Sequence, residues 1–181
     1  SGTLDEVTKT SADLALVAAA NAEATLEAGF TTVLDLGTGR RSHELAMYGV
    51  RDAIEAGQLR GPRILVAGSP ICAPGNCRTQ RYEPAVERAL EPQGVCSGAD
   101  DCRRAVREQV RRGADVVSFY NTGSLLAPGA PAQTLTDEEM RAIVDAAHAL
   151  HRKVVADGAG TRGSAAGINA AIVAGADWID T

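Results

Sequence analysis

Five times along this chain a helical run gives way to a short apolar run that ends in a polar residue. That alternation restricts the fold more than any other feature. Residues 11–28 carry apolar side chains at helical spacing behind Ser11, which reads as an N-cap. Gly29 closes that helix, and FTTVLDLG (30–37) follows as a strand. The pattern repeats as a helix at 43–57 and a strand at 61–70, a helix at 99–112 and a strand at 114–121. It ends with a helix at 137–150 and a strand at 152–158, then a helix at 162–174 and a strand at 176–180. Thr136 and Glu139 have the spacing of a capping box. Strands that stay apolar until their last residue or two suit a parallel sheet buried on both faces. Strict alternation with helices then implies right-handed crossovers. Residues 1–181 read as one α/β domain, a parallel sheet of about five strands alternating with helices. A Pro- and Gly-rich irregular insertion occupies 71–98. Three joints, LEAGFTTVLDLG, VRRGADVVSFYNTG and IVAGADWIDT, look like an internal repeat. The preference of any helix-to-strand turn for glycine would produce the same likeness.

At 181 residues the chain falls short of the roughly 250 typical of a complete eight-unit α/β barrel. A net charge of −5 argues against a nucleic-acid or anionic-membrane surface. Only 3% of residues are aromatic, too few for base-stacking platforms. No apolar run approaches the roughly 20 residues of a membrane span. No basic stretch leads into an apolar one at the N-terminus, so no signal peptide is read, and Ser1-Gly2 reads as a cloning remnant. The location stays open between cytoplasm and export. Cys72, Cys77, Cys96 and Cys102 have C-x4-C and C-x5-C spacings that match no common zinc knuckle. Metal binding, local disulfides and free thiols all remain readings. An even count in a Gly/Pro-rich loop favours disulfides, and with them an exported parent.

In α/β sheets, ligands bind beyond the carboxyl ends of the strands. Those ends carry Asp35, Ser69, Ser118, Tyr120, Asn121, Asp157 and Asp180. Three carboxylates on separate strands can converge on a pocket, raise one another's pKa, or hold a hard cation. They can equally cap the next helix or solvate the rim. His148 and His151 sit near a helix C-terminus, where they suit the dipole and face solvent. His43, at a helix start, is open to either role. There is no G-x-S-x-G elbow, P-loop or H-E-x-x-H. The glycines at 37 and 39 and at 158 and 160 read as flexible loops rather than a dinucleotide fingerprint. They leave a weaker reading, a phosphorylated ligand at the strand ends.

The strings LEAGFTTVLDLG, VRDAIEAGQLRGPRILVAG, REQVRRGADVVSFYNTG, LTDEEMRAIVDAAHALHRKVVADGAG and GINAAIVAGADWID, in this order, resemble the amidohydrolase superfamily. The likeness is greatest to its Xaa-Pro dipeptidase and imidazolonepropionase-like branch. The resemblance implies a partial TIM-like (β/α)8 barrel comprising strands two to six. It also implies a metal-dependent hydrolase of amide or cyclic C–N bonds. That family's ligands are an H-x-H pair, a strand-four Lys, His on strands five and six, and a last Asp. By order, Ser118 falls at the Lys position, and Asp157 and Asp180 at the two His positions. Gly75-Asn76-Cys77 replaces a common Gly-Gly-His, and Val33-Leu34-Asp35 a Val-Arg-Asp.

Two functions follow as expectations. In the first, the chain derives from a C–N hydrolase acting on dipeptides, N-acyl amino acids or cyclic amides, and is impaired on its own. Asp180, Asp157 and Tyr120 would be catalytic, while Asn121, Asp35 and Ser118 would hold substrate. Asp157 and Asp180, with Asp35 beside them, would bind a divalent metal, Zn, Mn or Mg, if any is bound. In the second, the chain is a truncated or engineered scaffold whose role is folding and assembly. Open sheet edges point to a homo-oligomer in both.

Overall fold

The computed structural model describes residues 8–38, 41–77, 83, 85–86, 92–122, 133–157 and 165–180. The glycine loop at 158–160, Gly39, residues 162–164 and Ser1-Gly2 lie outside them. Helix α1 (Ser11–Glu27) leads into strand β1 (Thr32–Asp35), α2 (Arg41–Glu55) into β2 (Arg63–Val66), and β3 (Ile71–Cys72) follows at once. Helix α3 (Ala99–Arg111) precedes β4 (Val116–Tyr120), α4 (Asp137–Ala149) precedes β5 (Lys153–Asp157), and α5 (Ala165–Ala174) precedes β6 (Trp178–Asp180). The pairings among these six strands are all parallel, so the chain has the expected α/β fold.

Local chemistry sets the helix ends. Thr10, one residue before the expected Ser11, caps α1 in a capping box with Asp13. The Thr136–Glu139 box caps α4 as the spacing predicts. His148 Nε2 lies 2.8 Å from Asp177 Oδ2, so it is an ion-pair partner and not simply a solvent-facing residue.

The sheet is not continuous. Among the described residues, β1 and β2 form a pair, and β3-β4-β5-β6 form a separate four-stranded sheet. The strand expected over 61–70 breaks at Gly68-Ser69-Pro70. Gly68 takes a positive φ of 75°, and Pro70 has no N–H to give to a ladder. The first half pairs with β1 and the second half, β3, with β4. A side chain at Gly68 would collide with the Tyr48 hydroxyl and Gln109. The irregular reading of 71–98 missed β3 for the same reason, because two residues carry no periodicity. Gly94–Cys96 then runs beside β3, with the Cys72 N–H donating to Gly94 O and the Cys96 N–H to Cys72 O.

Two cores match the two sheets. The larger packs Val117 and Phe119 of β4 and Val154 and Ala156 of β5 against Val106, Met140, Ile143 and Ala171 of α3, α4 and α5. The smaller packs Ile64 and Val66 of β2 against Ala22, Tyr48 and Val50. Strand alternation puts Ser118, Tyr120, Val155, Asp157, Trp178 and Asp180 on the face opposite the larger core. Trp178 is 45% exposed there.

The four cysteines form two disulfides, Cys72–Cys77 and Cys96–Cys102. This removes the metal reading of the cysteines.

Candidate functional site

Three of the expected site residues stand side by side. The registers place Tyr120 opposite Asp157, and Asp157 opposite Asp180, at the carboxyl ends of β4, β5 and β6. Neighbouring strands lie about 4.8 Å apart, so a phenol and two carboxylates stand in one short row. The Tyr120 hydroxyl is pushed up to about 12, first by burial and then by the charges of Asp157, Asp180 and Asp35. It therefore stays a protonated donor at neutral pH.

Asp35 reaches the same neighbourhood from β1. Its Oδ1 lies 3.3 Å from His43 Nε2 and accepts from the Gly37 N–H at 3.4 Å. Its Oδ2 is buried without a partner among the described residues. His43 is thus drawn to the rim by α2, one of the two roles its position allowed.

Ser118 and Asn121 are placed differently. Ser118 is 1% exposed, and its hydroxyl donates to Leu36 O at 3.0 Å, tying β4 to the segment after β1. Asn121 is fully buried, and its Nδ2 donates to Gly167 O at 2.6 Å, fastening the end of β4 to α5. Both brace the wall of the site. Asn76 braces it from the other side, donating to Thr134 Oγ1 at 2.9 Å and Tyr120 O at 3.4 Å.

Near Asp35 and His43, at the Ser69 strand break, lies a polar cluster that the sequence left hidden. Glu44 is 2% exposed, and burial raises its carboxyl, with the Ser69 hydroxyl and the charges of Arg112 and His43 opposing. Glu44 Oε1, the Tyr48 hydroxyl and Gln109 Nε2 are buried without partners among the described residues. Gln109 Oε1 accepts from the Ser69 N–H at 3.0 Å, which fixes the strand break. An acid in the first turn of a helix reads as a dipole partner, so nothing in the sequence singles out Glu44.

The residues present fit a metal centre poorly. Among the described residues, no group of three or more His, Cys, Asp or Glu side chains is placed to hold an ion. Asp157 and Asp180 supply two adjacent carboxylates, while a zinc centre needs three or four donors at about 2.0–2.3 Å. No helix among the described residues is long and apolar enough to cross a membrane.

The family model for the amidohydrolase family matches residues 2–178. The chain belongs to that family. Solved structures agree in fold. A Xaa-Pro dipeptidase with methionine bound in its active site shares 33% identity and a TM-score of 0.74, over 91% of this chain and 40% of its own. A prolidase complexed with N-methylphosphonate-L-proline shares 26% identity and a TM-score of 0.72, over 97% of this chain and 42% of its own. A putative prolidase from Bifidobacterium longum shares 27% identity and a TM-score of 0.67, over 94% and 37%. No curated protein matches the chain. The amidohydrolase chain described here thus spans about two fifths of these relatives and corresponds to part of their TIM-type barrel. The family is generally metal-dependent and includes hydrolases of small amides and peptides.

Proposed function

We propose that this chain forms the strand-two to strand-six part of a barrel that hydrolyses C–N bonds of small amides or dipeptides, and that it is impaired on its own. The observation that carries the reading is the in-register row Tyr120–Asp157–Asp180, with Asp35 near enough to act on the same phenol. Tyr120, held protonated, donates to the substrate carbonyl oxygen as charge develops there. Asp157 or Asp180 takes a proton from the attacking water and returns it to the leaving nitrogen as the C–N bond breaks. Asp35 orients the amine, while Ser118 and Asn121 act through the strand they brace. Asp157 and Asp180 are also the carboxylates this chain would bring to a divalent metal such as Zn, Mn or Mg. The described residues do not complete that site, so no step is assigned to an ion.

Elemental analysis after dialysis against metal-free buffer, then assays with prolyl dipeptides and N-acyl amino acids, tests this. The expected result is weak turnover that falls in Tyr120→Phe and Asp180→Asn. Turnover indifferent to both substitutions overturns the assignment. The closed hydrogen bond of Ser118 and the incomplete donor set favour a second reading, a non-catalytic scaffold acting through assembly. Absence of both metal and turnover, with a stable oligomer in sedimentation, supports that one.

A further inference from the structure

The two disulfides differ in what they hold. Cys96–Cys102 has both cysteines buried in the larger core, joining the segment beside β3 to α3. Cys72–Cys77 joins buried Cys72 of β3 to half-buried Cys77, and closes a loop whose last inner residue is Asn76. The Asn76 amide is the direct link from that loop to Tyr120 O and to Thr134. Thr134 in turn gives its N–H to Asn121 O at 2.9 Å. The end of β4, with Tyr120, is therefore held by its pairing with Cys72 of β3 and by a loop that the disulfide and the Asn76 N–H to Ala73 O bond, at 3.0 Å, keep in shape.

We propose that Cys72–Cys77 is a thiol-sensitive clasp on the candidate site, opened by a dithiol reductant while Cys96–Cys102 stays closed. One thiolate of the dithiol attacks Sγ of Cys77, the less buried of the two cysteines, forming a mixed disulfide and releasing Cys72 as the thiolate. The second thiol of the reagent then displaces Cys77. The dithiol is oxidised to its cyclic disulfide, two electrons pass to the protein, and both cysteines end as thiols. The Pro70 carbonyl oxygen lies 3.7 Å from Cys77 Sγ, so the new thiol finds an acceptor in place. With the loop released, Asn76 lets go of Thr134 and the Tyr120 carbonyl, and the row at the strand ends loosens.

The test needs no substrate, so its outcome is separate from that of the hydrolase reading. The native protein is titrated with dithiothreitol, trapped with N-ethylmaleimide and mapped by mass spectrometry, with amide exchange measured on the same samples. Cys72 and Cys77 should be alkylated at reductant levels that leave Cys96–Cys102 intact. Exchange at Thr134 should then rise at least about tenfold, with α3 and α4 unchanged. Asn76→Ala in the oxidised protein should reproduce that rise. Simultaneous opening of both disulfides overturns the proposal. So does partial reduction that leaves Thr134 exchange unaltered, or an Asn76→Ala variant with wild-type exchange at Thr134.

Discussion

Gly113-Ala114-Asp115 and Gly175-Ala176-Asp177 build the same joint twice. In each, glycine leaves the helix at a φ near 100°, 102° at Gly113 and 95° at Gly175. In each, the aspartate binds one residue of a preceding strand with both its backbone and its side chain. Asp115 donates its N–H to Val66 O and accepts from the Val66 N–H, at 2.8 and 2.9 Å. Asp177 does the same to Val154, at 2.9 and 2.8 Å. Two of the three joints compared in the sequence share this device, whereas the first, Gly29-Phe30-Thr31, has no aspartate and only its Thr31 carbonyl accepts, from the Arg63 N–H at 2.9 Å. The two joints differ in place and in cation. Asp115 ties β2 of the small sheet to the start of β4 in the large one, and pairs with the mostly buried Arg51 at 2.8 Å. Asp177 works within the large sheet and pairs with the more exposed Lys153 and His148. The same local device holds two sheets together in one place and trims a single sheet in the other.

Asp115→Ala should show the largest effect, since it unpairs the Val66 N–H and takes one anion from Arg51. A loss of about 2–3 kcal/mol in urea unfolding is expected. Asp177→Ala should cost less, about 1–2 kcal/mol, because its cations stay solvated. An equal loss at both sites would erase the distinction.

The pH dependence sharpens it. Burial works to raise the Asp177 carboxyl, but Lys153, His148 and the Val154 N–H together hold it at about 2, below its ordinary 3.8. Its contribution is full above about 3.8 and is lost as pH falls through about 2. The stability gap between wild type and Asp177→Ala should close over that interval. Glu44, on the same helix as Arg51, has the opposite sign. Its raised carboxyl costs stability as pH climbs above the unfolded value of 4.5. Glu44→Gln should therefore gain about 1 kcal/mol at pH 8 and little at pH 4, as read from melting curves at the two pH values. Lys153→Ala should be the smallest change, about 0.3–0.5 kcal/mol and weaker in high salt.

Much of the fold was legible because helix spacing, capping residues and apolar strands are local signals. The joint at Gly113, the capping box at Thr136 and the row of polar strand ends all follow from such signals. What stayed hidden depends on long-range geometry. The division of residues 63–72 between two sheets goes with the positive φ of Gly68, where a side chain would have no room beside Tyr48 and Gln109, distant in sequence. Asn76 and Glu44 gain their roles only when β4 and the Ser69 turn come to rest against them. Ser118, expected at a strand end, lies in the middle of β4, and Asn121 lies just past it; their side chains donate to Leu36 O and Gly167 O.

The Ser118 bond also sets the room available between the two sheets. Ser118 is 1% exposed, with its hydroxyl 3.0 Å from the Leu36 carbonyl oxygen, so a larger side chain there has to displace that contact. The next residue is just as confined, since a side chain at Gly37 would strike the Gly68 carbonyl. The seam between β1 and β4 therefore admits only small residues at both 37 and 118, and bulk added at either one is felt by segments far apart in the chain.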